Sequence, residues 1–146
     1  VLRRKFWDKF GELKEQGRTL FITTQYVSEA AYCDVVGVMG KSVLLEVDTP
    51  HKLRYKAFGG DIVELRTEEP VRYSQFQSLT ELPYVRELVS ADTHTARLIV
   101  DEASTDIAQL LDWSREHGIP VETIEEYLPP FDDVFVELVE KGDENE

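Results

Sequence analysis

The chain has 146 residues, 42% of them apolar, with 16 basic and 29 acidic groups and a formal charge of −13, which is enough for one ordinary domain or two small ones. That charge, with a pI near 4.6, repels phosphate backbones and anionic headgroups and excludes nucleic-acid binding by the chain as a whole. The single cysteine and three scattered histidines exclude an internal disulfide and show no metal-ligand spacing, so a reducing compartment and no metal are expected.

Residues 1–16 place Leu2, Phe6, Phe10 and Leu13 at steps of four, four and three, which predicts an amphipathic helix closed by Gly17. No capping residue precedes it, so the chain is expected to be the C-terminal piece of something longer. Residues 19–24 (TLFITT) are β-branched and apolar on both faces, the pattern of a strand buried in a parallel sheet. Residues 28–33 (SEAAYC) read as a short helix, and 35–39 with 43–47 as a hairpin around Gly40-Lys41-Ser42. Thr49-Pro50 opens a helix to Phe58.

Beyond Gly59-Gly60 the composition changes. Residues 1–60 carry ten basic and seven acidic groups, a net of +3, whereas 61–146 carry six and twenty-two, a net of −16. A boundary is therefore expected at the glycine pair, whose backbone freedom suits a hinge. Residues 61–67 read as a strand, 73–80 as a helix, 85–91 and 96–101 as a strand pair, 105–117 as a helix with Ile107, Leu110, Leu111 and Ser114 on one face, and 121–127 as a strand. A last helix over 132–141 follows Pro129-Pro130. The order βαββαβ predicts an α+β, ferredoxin-like unit over 61–141 with an added C-terminal helix. The acidic end, 142–146, is expected to fray.

The run GRTLFITTQYVSEAAYCDVVGVMGKSVLLEVDTPHKL over 17–53 resembles the end of an ABC transporter ATP-binding subunit, whose wording is close to G-x-T-x-x-x-[ST]-T-H-x-x-x-E-A-x-x-x-x-D, then a glycine-centred hairpin and G-x-P-x-x-L. Gly17, Thr19, Thr23, Thr24, Glu29, Ala30, Asp34, Gly40, Pro50 and Leu53 match in order. The close PPFDDVFVELVEKG, over 129–142 with Asp132, Asp133 and Phe135, is similar to the P-S-L-E-D-x-F end of the C-terminal extension of bacterial exporter-type subunits. In this family the residue after the T-T pair is a histidine that contacts the γ-phosphate of ATP, and here Gln25 stands there. Glutamine keeps neutral hydrogen-bonding capacity but cannot become cationic.

The resemblance implies that residues 1–60 end an α/β nucleotide-binding domain and that 61–141 form an accessory domain. It implies a parent subunit that binds Mg-ATP, pairs with a second ATPase subunit and a transmembrane permease, lies at the inner face of the cytoplasmic membrane and powers export. The chain has no G-x-x-x-x-G-K-[ST] loop, LSGGQ-like signature or Walker B strand, so alone it is expected neither to hold the cofactor nor to hydrolyse ATP. Self-association through 20–24 is expected if that strand has no partner.

Other readings compete. The Gly40-Lys41-Ser42 tripeptide would need a glycine at Val35 and a following helix to cradle phosphate, so a hairpin turn is the simpler reading. Glu125, Glu126, Asp132 and Asp133 could supply an acid/base pair, but carboxylates in so acidic a segment are ordinarily solvated surface, and Asp132 suits an N-cap. Cys33 reads as a small buried hydrophobe, His51, His94 and His117 as loop or surface residues, and Trp7 and Trp113 as packing. A free-standing ferredoxin-like module that senses a small ligand and dimerises is the alternative. A hydrolase built on Asp132 and Asp133 is the third.

Overall fold

A computed structural model describes residues 2–144; Val1 and the last two residues of the acidic end lie outside the described residues. The first helix, α1 (Leu2–Glu15), follows its apolar stripe but buries none of its residues. Gly17, at φ +80°, ends it in the left-handed conformation that glycine adopts without strain. Trp7 stacks on Tyr32 at 5.3 Å between ring centroids, tying the helix to the 3-10 turn Val27–Tyr32.

The strand expected over 19–24 does not form. Among the described residues no strand pairs with this segment, and Phe21 is 95% exposed. A strand apolar on both faces is held by ladder partners on either side, and without them β-branched composition gives no sheet.

The hairpin comprises β1 (Val36–Gly40) and β2 (Val43–Asp48). Gly40 pairs with Val43, and Lys41 (φ 48°) and Ser42 (φ 66°) form the two-residue turn. Positive φ at both central residues gives the type I′ twist that antiparallel strands need. Helix α2 (Pro50–Phe58) has Pro50 at its first turn and Thr49 as N-cap, whose hydroxyl accepts from the Lys52 N–H at 3.3 Å.

The remaining elements are β3 (Asp61–Thr67), α3 (Tyr73–Ser78) with a 3-10 turn (Leu79–Glu81), β4 (Val85–Ala91), β5 (Thr95–Val100), α4 (Ala103–Glu116), β6 (Val121–Tyr127) and α5 (Phe131–Glu144). The sheet order is β4-β5-β3-β6, every neighbour antiparallel. The fold is α+β. Val63, Leu65, Leu98 and Val100 from the sheet are fully buried with Phe76 of α3, Leu79 and Leu110 of α4. Helix α4 begins two residues before the expected Thr105 because carboxylates satisfy its first donors. Asp61 Oδ2 accepts from the Ala103 N–H at 3.0 Å, and Asp106 Oδ2 from the Glu102 N–H at 2.8 Å.

A second core joins distant parts of the sequence. Val38, Leu53 and Ala57 pack with Phe131, Val134 and Leu138 of α5, so the last helix closes against β1 and α2 rather than against the sheet. Its end also differs from expectation. Gly142 lies against Leu45, and Lys41 Nζ meets Asp143 Oδ1 at 2.7 Å, so residues 142–144 continue the helix against the hairpin instead of fraying.

Gly59 terminates α2 at φ +75°, and Gly60 packs closely against β5. A Cβ there would lie 2.5 Å from the Val100 carbonyl oxygen. Across this joint Arg86 of β4 donates to Asp101 Oδ1 at 2.6 Å, to the Gly59 carbonyl and to the Tyr55 hydroxyl at 3.3 Å.

Candidate functional site

Gln25 is exposed and lines an open cleft of about 380 Å³ between α1 and the segment that follows it. Thr23, Thr24, Tyr26 and Glu29 line the same cleft, with Phe6 and Trp7 of α1 as an apolar wall. The segment is irregular, yet its hydrogen bonds are specific. The Thr24 hydroxyl donates to Glu29 Oε2 at 2.8 Å and accepts from the Tyr26 N–H at 3.0 Å. Arg3 of α1 lies 3.5 Å from Glu29 Oε1, and its guanidinium sits 3.2 Å from the centroid of the Tyr26 ring. These contacts fix the backbone on both sides of Gln25 and leave its amide free to donate or accept. Its polar lining, Arg3, Thr23, Thr24, Gln25, Tyr26 and Glu29, offers hydrogen-bond donors and acceptors to a ligand.

The other family-matching residues form the support of this segment rather than the cleft itself. Ala30 packs against the second core, and Asp34 pairs with Lys14 at 2.5 Å, anchoring the end of α1 to the approach to β1. Gly40 presses on Leu45, whose Cδ1 would lie 2.9 Å from an added Cβ. Pro50 starts α2, and Phe135 packs against the core that α5 completes. Burial raises the Cys33 thiol above its ordinary value, and Asp34 and Glu29 add to the effect, which disfavours the reactive thiolate.

Asp132 and Asp133 are exposed in the first turn of α5. The helix starts one residue before Asp132, so Asp132 is not its N-cap; both carboxylates favour the positive end of the helix dipole. Neither lines the cleft at Gln25, and an acid/base pair is not formed there. The Gly40-Lys41-Ser42 turn joins two strands, with no helix following, so the phosphate-cradle reading fails. His117 stacks on Trp113 at 3.8 Å between centroids, and His94 lies in the turn beside Thr93.

A further cluster lies at one end of the sheet, and no motif in the sequence marks it. His51 of α2, Asp61 of β3 and Glu126 of β6 bring one ligand atom each within 4.8 Å of the others. His51 and Asp61 stand ten residues apart and Glu126 a further 65 along the chain, and the β3–β6 pairing brings the two carboxylates to that end of the sheet.

No family model matches the chain. It is 29% identical to the daunorubicin resistance ATP-binding protein DrrA2 of Streptomyces coeruleorubidus, over 98% of this chain and 45% of that protein. It is 35% identical over 54 residues to the probable multidrug ABC transporter ATP-binding protein YbhF of Escherichia coli K12, covering 37% of this chain and 9% of that protein. The Shigella flexneri protein of the same name matches equally. The chain is thus similar to ABC transporter ATP-binding proteins and spans less than half the length of the curated relatives it matches. Among the described residues no helix is long and apolar enough to cross a membrane.

Proposed function

We propose that this chain is the C-terminal part of the ATP-binding subunit of an exporter-type ABC transporter. Residues 1–60 supply the end of its nucleotide-binding domain, with Gln25 facing the γ-phosphate, and residues from 61 onward supply an acidic ferredoxin-like accessory unit. The observation that carries this reading is the similarity over 98% of the chain to an ATP-binding resistance protein, with Thr24, Gln25 and Glu29 together at one cleft. The whole subunit binds Mg-ATP at a face shared with a second subunit. It sits at the inner side of the cytoplasmic membrane on a permease and drives export of a hydrophobic compound.

The phosphate cradle, the metal ligands and the catalytic carboxylate belong to motifs this chain lacks. Calorimetric titration of Mg-ATP separates the readings. Binding by a version preceded by a complete nucleotide domain, with none by these residues alone, is the expected result. Tight binding by the 146 residues alone would overturn the assignment. Exposure of Phe21 at 95% and Leu20 at 37% favours this reading over a free-standing ligand sensor, because a complete small fold would cover that apolar segment.

A further inference from the structure

We infer that His51, Asp61 and Glu126 form a binding site for a divalent transition-metal ion that ties α2 to the β3–β6 end of the sheet. His51 Nε2 lies 3.6 Å from Asp61 Oδ1 and 3.6 Å from Glu126 Oε1. Ligand atoms around a four-coordinate zinc ion, each about 2.0–2.1 Å from the metal, stand roughly 3.3 Å from one another. The two His51 separations exceed this by a few tenths of an ångström, and all three ligand atoms lie within 4.8 Å of one another. The chemistry of the set also fits: one imidazole and two carboxylates suit zinc, cobalt or manganese.

The three residues come from separate, well-anchored elements. His51 stands in the first turn of α2, which Thr49 caps. Asp61 opens β3, and its side chain is only 10% exposed. Its second oxygen is held by the Ala103 N–H at 3.0 Å, which is the outer-sphere hydrogen bond that fixes a ligating carboxylate. Glu126 is positioned by its ladder pairing opposite Val63. Two carboxylates whose oxygens lie within 4.8 Å of each other and of His51 favour a cation at their centre. The nearby Arg54 interacts electrostatically with Glu126, while its Nε donates to the Pro129 carbonyl at 3.1 Å; a metal ion would contact both carboxylates directly. The exposed imidazole, 61% accessible, leaves room for water to complete the coordination shell.

The site lies away from the cleft at Gln25 and does not depend on the transporter reading. The test is calorimetric titration of zinc chloride into the intact chain, with nuclear magnetic resonance of the histidine rings. One zinc per chain is expected, shifting the His51 ring signals and leaving those of His94 and His117 in place. Zinc should also raise Tm. His51→Ala and Glu126→Gln should each weaken binding at least tenfold, with Tm in the absence of metal not lowered by Glu126→Gln, whereas His94→Ala should bind as the parent does. Absence of binding by the parent chain, unshifted His51 signals, or undiminished binding by His51→Ala would overturn the site.

Discussion

The Thr24 hydroxyl donates to the Glu29 carboxylate at 2.8 Å, and the other oxygen of that carboxylate faces Arg3 of α1. Gln25 lies between the two partners in sequence, so its backbone is held by a bond that closes over it. Replacing Glu29 by Ala should cost about 1 kcal/mol, the usual net value of a partly exposed charge-assisted hydrogen bond. Amide exchange should show the loss locally, with the Tyr26 N–H, which bonds to the same hydroxyl at 3.0 Å, exchanging faster than amides in the sheet.

Gln25 itself sets a second expectation. In a protein carrying the complete nucleotide domain, Gln25→His should raise steady-state ATP turnover several-fold. An imidazole can be cationic next to a phosphate, whereas an amide cannot. Unchanged turnover would show that the position does not touch the nucleotide.

Two glycines should respond oppositely to the same change. Gly60→Ala places a Cβ 2.5 Å from the Val100 carbonyl oxygen, and an overpacked joint of this kind costs about 1–3 kcal/mol. Gly11 stands inside α1 with nothing within 4 Å of an added Cβ, so Gly11→Ala should stabilise the helix by about 0.5–1 kcal/mol. Thermal unfolding of the two variants checks both signs.

Acid should act on the β4–β5 turn. Asp92 Oδ1 accepts from the His94 N–H at 2.7 Å and the Thr95 N–H at 2.8 Å. These backbone donors hold its carboxyl below its ordinary value of 3.8. The unfolded chain therefore takes up the proton first on acidification. The stabilisation is complete well above 3.8 and is lost as pH falls through the lower folded value. Asp92→Ala should reduce Tm at neutral pH, and the gap from the parent should narrow below about pH 4.

Much of this was legible because the signals are local. The bounds of β3, β4 and β6 coincide with those that alternation and turn residues predict, and Thr49, Pro50 and Gly59 mark both ends of α2. Residues 19–24 have the composition of a strand, but strand formation needs a neighbour that the segment does not have among the described residues. The destination of α5 was equally illegible: its apolar stripe announces a buried face but not which of two cores buries it. The His51, Asp61 and Glu126 group shows the same limit for sites, since only the three-dimensional pairing of β3 with β6 brings its members together.

The return of α5 to Val38, Leu53 and Ala57 reverses the order in which the two cores can close during synthesis. On a ribosome, β3 to β6 have all emerged before Leu138 is available, so the sheet unit can fold while the earlier segment still waits for its last helix. The part of the chain made first is completed last, and a stop codon placed just before Phe131 would leave the hairpin and α2 without a lid while sparing the sheet.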